Sequence, residues 1–75
     1  MPPLPIINAK QFIKALEKAG FVHSRQKGSH HIMKNRHGLR AVIPYHGHKD
    51  IPRGTLRGIL RDIEITVEEL IDLLD

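Results

Sequence analysis

Between Phe21 and Pro44 lie three extended runs, FVHSRQ, SHHIMK and LRAVIP, joined only by Lys27-Gly28 and by Asn35-Arg36-His37-Gly38. A parallel pair needs a crossover of about a dozen residues or more, which turns this short exclude. The chain is therefore confined to an antiparallel three-stranded meander, closed by Pro44. A lone sheet of three strands would leave apolar surface wet, so helices must cover it.

Signals for those helices flank the meander. Asn8 followed by Gln11 reads as a capping box, Phe12, Ala15, Leu16 and Ala19 recur at helical spacing, and Gly20 supplies a stop. The first helix is expected over residues 9–19. After the loop YHGHKD, Asp50 is the expected N-cap of a second helix with Leu56, Ile59, Leu60 and Ile63 on one stripe. Thr66 followed by Glu69 is a second capping box, opening a short third helix that bears Leu70, Leu73 and Leu74. The expected fold is α+β, a two-layer sandwich in the order αβββαα. Its topology is that of double-stranded-RNA-binding domains with an added C-terminal helix, and fold analogy by itself assigns no function.

A chain of 75 residues has room for one modest core, and with 4% aromatic residues that core must be aliphatic. Residues 1–7 are proline-rich and are expected to be a flexible lead-in, with a single domain over 8–75. There is no cysteine, which excludes disulfides and thiolate metal sites and fits a reducing compartment. No segment has the pattern of an export signal or the roughly 20 apolar residues of a membrane span, so the expectation is a soluble, cytoplasmic protein with no membrane partner.

Charge is divided sharply along the chain. From Phe21 to Arg61 there are nine Lys and Arg residues against Asp50 alone, whereas from Asp62 onward there are six acids and no Lys or Arg. A solvated surface with mutually attracting halves is the plain explanation, and a polyanion-binding middle with an acidic tail is the sharper one. Nucleic acid is the favoured partner of the middle segment. A DNA-binding regulator fits less well, because no helix-turn-helix pair with a basic recognition helix is evident.

The run from Gly20 to Leu60 contains GF, KGSHH, IPYH and IPRGTLRGIL in that order. Together these resemble the HicA family of bacterial toxins, small ribonucleases that cleave messenger RNA and are held inactive by the antitoxin HicB. The resemblance covers most of the chain. It implies a toxin that is monomeric when free and hetero-oligomeric with a HicB-like antitoxin, and it implies catalysis by the histidine that directly follows Gly-Ser, here His30.

Elementary chemistry is compatible with that implication. RNA cleavage requires a group that takes a proton from a 2′-hydroxyl or water, and imidazole titrates near the pH of the cell. Gly28 permits close backbone approach, Ser29 can donate a hydrogen bond, and Lys27 and Lys34 can hold phosphate oxygens without a cofactor. Arg40, Lys49, Arg53 and Arg57 extend the expected RNA-binding set. Strand alternation puts His30 with Ile32 and Lys34, and His31 with Ser29 and Met33, so each face has an apolar residue and the outward histidine is undecided. His31 is the alternative to His30, and His46 is a possible second acid or base.

The remaining histidines have simpler expected roles. His23 is expected within a strand and His37 in a turn. His46 and His48 form an H-x-H pair without the multi-ligand spacing of a structural zinc site, so no metal is expected to be required. Gly54 and Gly58 weaken a helix and suggest close approach by a neighbour, either the protein's own core or an RNA backbone at the helix N-terminus. A non-catalytic RNA-binding module remains the alternative function; it shares the basic surface but not turnover.

Overall fold

The computed structural model describes residues 2–75. Its elements are α1 (Ala9–Lys18), β1 (Val22–Lys27), β2 (His30–Lys34), β3 (Arg40–Pro44), α2 (Arg53–Asp62) and α3 (Val67–Leu73), an α+β fold in the expected order. The sheet has the order β1-β2-β3 and is antiparallel throughout.

Local hydrogen bonds explain where the helices begin and end. In α1 the Asn8 side chain accepts from the Gln11 N–H at 2.9 Å, while the Gln11 side chain accepts from the Asn8 N–H at 2.9 Å. Thr66 and Glu69 make the same reciprocal pair at the start of α3. At the end of α1, Phe21 N–H donates to Leu16 and Gly20 N–H to Glu17, with Gly20 at φ +92°. These are the two bonds of a Schellman termination, and Phe21 and Leu16 are both buried beside it. Asp50 does not cap α2: the N-cap is Pro52, with no side-chain bond, and Asp50 instead forms an isolated bridge with Asn8. Because Ile51 N–H donates to Ile7 at 2.9 Å, the segment before α2 is committed to a β-type pairing with the N-terminal segment.

That pairing bears on the N-terminal stretch. Met1 lies outside the described residues, and within residues 2–7 the side chains of Leu4 and Ile7 are buried in the same core as Phe12 and Leu16. The proline-rich composition conceals two anchoring positions.

The core lies on one side of the sheet. Met33, Ala41 and Ile43 are fully buried against Phe12 and Leu16 of α1, Leu56 and Leu60 of α2, and Leu70 of α3. Directly paired residues share a face, so the pairs His23↔Met33, Met33↔Ala41 and His31↔Ile43 put His23 and His31 on the helix-covered side. The opposite face is open.

The exit from α2 repeats the Schellman pattern without glycine. Ile65 N–H donates to Leu60 and Glu64 N–H to Arg61, and Glu64 takes φ +60°. A side chain other than glycine in that region costs on the order of 1 kcal/mol. Glu64→Gly should therefore raise stability by about 0.5–1 kcal/mol, read as an increase of several degrees in melting temperature. A lower melting temperature would show that the Glu64 side chain outweighs its backbone strain.

Candidate active site and nucleic-acid interface

The hairpin between β1 and β2 turns through Gly28 and Ser29, with Lys27 paired to His30. Gly28 has φ +59°, so the first of the two loop positions is left-handed, the pattern of a type II′ turn that calls for glycine. Tyr45 N–H donates to the Ser29 carbonyl at 2.6 Å, and the Gln26 amide donates to the Gly28 carbonyl at 3.2 Å. His30 thus begins β2 from a turn held at both loop carbonyls.

A register irregularity decides what surrounds it. His23 pairs with Met33, but the next pair is Arg25 with Ile32, so Ser24 is an extra residue in β1. Simple alternation would put Arg25 and Lys27 on the covered face with His23. The bulge reverses them, and the open face consists of Lys27, His30 and Pro44 in one row, Arg25, Ile32 and Val42 in the next, and Val22, Lys34 and Arg40 in the third. Ile32 is buried at its centre, outside the main core, between its cross-strand partners Arg25 and Val42. Four cations and no acid occupy these nine positions.

At the β3 edge of this face is a groove of about 370 Å³ lined by His30, Val42, Pro44, His46, Pro52 and Thr55. Its walls come from the sheet, the loop after β3 and the start of α2. His30 and His46, sixteen positions apart in the chain, therefore meet in one concavity. The α2 N-terminus enters it uncapped by any side chain, so backbone N–H groups of the first turn have no helical acceptor.

The other expected residues fall in different places. Gly28 and Ser29 form the turn next to His30, Lys27, Lys34 and Arg40 share its open face, and Arg53 follows Pro52 at the groove. Lys49 is exposed in the loop after β3. Arg57 faces a separate groove with Arg61, Thr66 and Glu68, away from the histidines. Arg25 and Thr55 were not expected at the site. Nothing in the local sequence announces the bulge that turns Arg25 outward, and Thr55 is marked only by its position in the first turn of α2.

Among the described residues no three His, Cys, Asp or Glu side chains come together as a metal-binding group, so His46 and His48 lack a third such ligand. The glycines of α2 also differ from expectation. A Cβ on Gly54 would meet nothing within 4 Å, and one on Gly58 only the end of Arg61 at 3.8 Å, so intramolecular crowding does not require either glycine.

His31 occupies the opposite environment from His30. Its ring is half-buried on the covered face, Nδ1 lies 3.1 Å from Gln26 Oε1, and Nε2 is sealed from solvent with no hydrogen-bond partner. The His23 ring is 4.6 Å away and tilted by 50°. Burial pushes the His31 pKa below 6.5, His23 lowers it further, and Glu17 acts in the opposite direction. As pH falls below 6.5, the unfolded chain takes up a proton before folded His31 does, so this contribution to stability is complete above that pH and is lost below it. Melting temperature should fall with acidification below pH 6.5 more steeply in the wild type than in His31→Asn; equal slopes would remove His31 as the cause.

No helix among the described residues is long and apolar enough to cross a membrane. No curated protein matches the chain. A family model does: residues 9–65 match the HicA toxin of bacterial toxin-antitoxin systems. The matched span contains α1, the whole sheet, the histidine groove and α2, and stops before α3. This chain belongs to the HicA toxin family and is the toxin member of a toxin-antitoxin pair.

Proposed function

We propose that the protein is an endoribonuclease that cleaves messenger RNA by metal-independent acid-base catalysis, with His30 as the catalytic base. The observation that carries this reading is the meeting of His30 and His46 in one groove at the border of a basic, acid-free sheet face. A bound RNA strand lays its phosphates along Lys27, Arg25, Lys34 and Arg40. His30 then takes the proton from the attacking 2′-hydroxyl or water while a bond from phosphorus to the leaving oxygen breaks, and His46 returns a proton to that oxygen. Charge accumulating on the phosphoryl oxygens is met by Lys27, Arg53 and the free N–H groups at the start of α2.

His30 is favoured over His31 as the reacting group because it is exposed on the open face, whereas His31 has Nδ1 engaged and Nε2 buried. The antitoxin, a HicB-like protein, inhibits by covering the same face, since an acidic partner is attracted by the same cations as RNA. Free toxin is a cytoplasmic monomer in this reading, and the antitoxin complex is a hetero-oligomer.

Purified protein should cleave messenger RNA in the presence of EDTA. His30→Ala should reduce cleavage by at least about 100-fold while RNA affinity stays within a fewfold of wild type, because removing a general base alters the chemical step more than binding. Full cleavage by folded His30→Ala would refute the assignment, and tight RNA binding with no product under any condition would favour the non-catalytic RNA-binding module.

The basic face makes a separate prediction for binding. Affinity of uncleavable RNA should fall linearly with salt on logarithmic axes, and Lys27→Ala or Lys34→Ala should each reduce the slope by about one unit or less. A slope unaffected by both changes would remove the phosphate path across the sheet.

A further inference from the structure

We propose that His31 and Gln26 are positioning residues for His30, acting through a hydrogen-bond relay that ends on the hairpin loop. This inference rests on the ribonuclease reading above, and it concerns side chains that the proposed chemical step does not use. Gln26 is the centre of the relay. Its Nε2 lies 3.2 Å from the Gly28 carbonyl, which can only accept, so the amide orientation is determined and Oε1 must be the atom facing His31.

His31 Nδ1 lies 3.1 Å from that Oε1, and two acceptors cannot bond to each other. Nδ1 must therefore carry the proton and donate it. In a neutral ring Nε2 is then a lone-pair acceptor, which is the form that leaves no buried N–H without a partner at the sealed Nε2 atom. The chain of donation runs from His31 Nδ1 to Gln26 Oε1, and from Gln26 Nε2 to the Gly28 carbonyl.

The consequence for His30 follows from chain geometry. Gly28 and Ser29 are the whole loop between Lys27 and His30, so a shift in Gly28 moves His30 within two residues. Gly28 is also at φ +59° with nothing within 4 Å of a would-be Cβ, so side-chain packing does not restrain it. Its carbonyl is held by Gln26, while the Ser29 carbonyl is held from the other strand by Tyr45 N–H, the residue before His46. Losing the Gln26 bond frees one of the two loop carbonyls and lets His30 drift relative to the groove it shares with His46.

The test compares steady-state cleavage of a messenger RNA by wild type, Gln26→Ala, His31→Leu, His31→Asn and the Gln26→Ala/His31→Leu double variant. Gln26→Ala and His31→Leu should each lower kcat about five- to tenfold with KM within about twofold, the loss expected when a hydrogen bond that orients a reacting group is removed. The double variant should be no slower than the slower single variant, because both changes break one chain. His31→Asn, whose side-chain NH₂ can replace Nδ1–H, should recover most of the rate. Multiplicative losses, a change in KM alone, or failure of His31→Asn to recover would overturn the relay. Imidazole ¹⁵N shifts of wild-type His31 give a readout independent of turnover: the Nδ1–H tautomer is expected, and an Nε2–H tautomer would overturn the relay even in an active enzyme. If wild type cleaves no RNA while the Nδ1–H tautomer is present, the ribonuclease reading fails and the inference that the relay positions a catalytic His30 fails with it, with the hydrogen-bond chain left as loop structure only.

Discussion

The arrangement depends on covering a three-stranded sheet from one side only. Met33, Ala41 and Ile43 are sealed by α1, α2 and α3, and among the described residues no element covers the other face. That face must be compatible with water, and four cations around Ile32 meet the requirement while giving the surface a single sign of charge. The asymmetry that completes the fold is thus the same asymmetry that creates an anion-attracting surface.

The Ser24 bulge links strand geometry to that surface. It adds one residue to β1, and because side chains alternate with period two, every residue after it changes face. Arg25 and Lys27 join Lys34 and Arg40, while His23 stays behind the sheet with His31. Strand alternation in β2 separates His30 from His31, and the bulge in β1 leaves His23 on the His31 side: one face has a solvated imidazole beside cations, and the other has a pair of close rings with a sealed nitrogen. Two adjacent residues, His30 and His31, consequently have different chemical capacities.

Membership of the HicA toxin family gives the two-faced design a biological setting. A toxin must expose its working surface when free and permit that surface to be silenced by an antitoxin. The exposed sheet and the groove beside it are accessible, whereas the acidic C-terminal segment, with Glu64 and Glu69 near the α2–α3 junction, presents the opposite charge. Electrostatics therefore draws anions to the sheet rather than to α3.

Much of the fold was legible because its signals are local. A capping box spans four residues, Schellman termination at Gly20 needs one left-handed glycine, and a meander follows from turns too short for crossovers, so Asn8, Thr66, Gly20 and the three strands could be read along the chain. Asp50 had the right chemistry for a cap but was overruled by the distant pairing of residues 7 and 8 with 50 and 51. Leu4 and Ile7 were obscured by proline-rich composition, since burial depends on what packs against a residue. The candidate site was legible as residue types, and the resemblance singled out His30 among them; its geometry was not legible. Which face His30 occupies, the outward turn of Arg25, and the meeting of His30 with His46 and Thr55 all depend on register and on contacts between distant segments. Local propensity and periodicity determined the elements, and only tertiary packing decided which side chains share a surface.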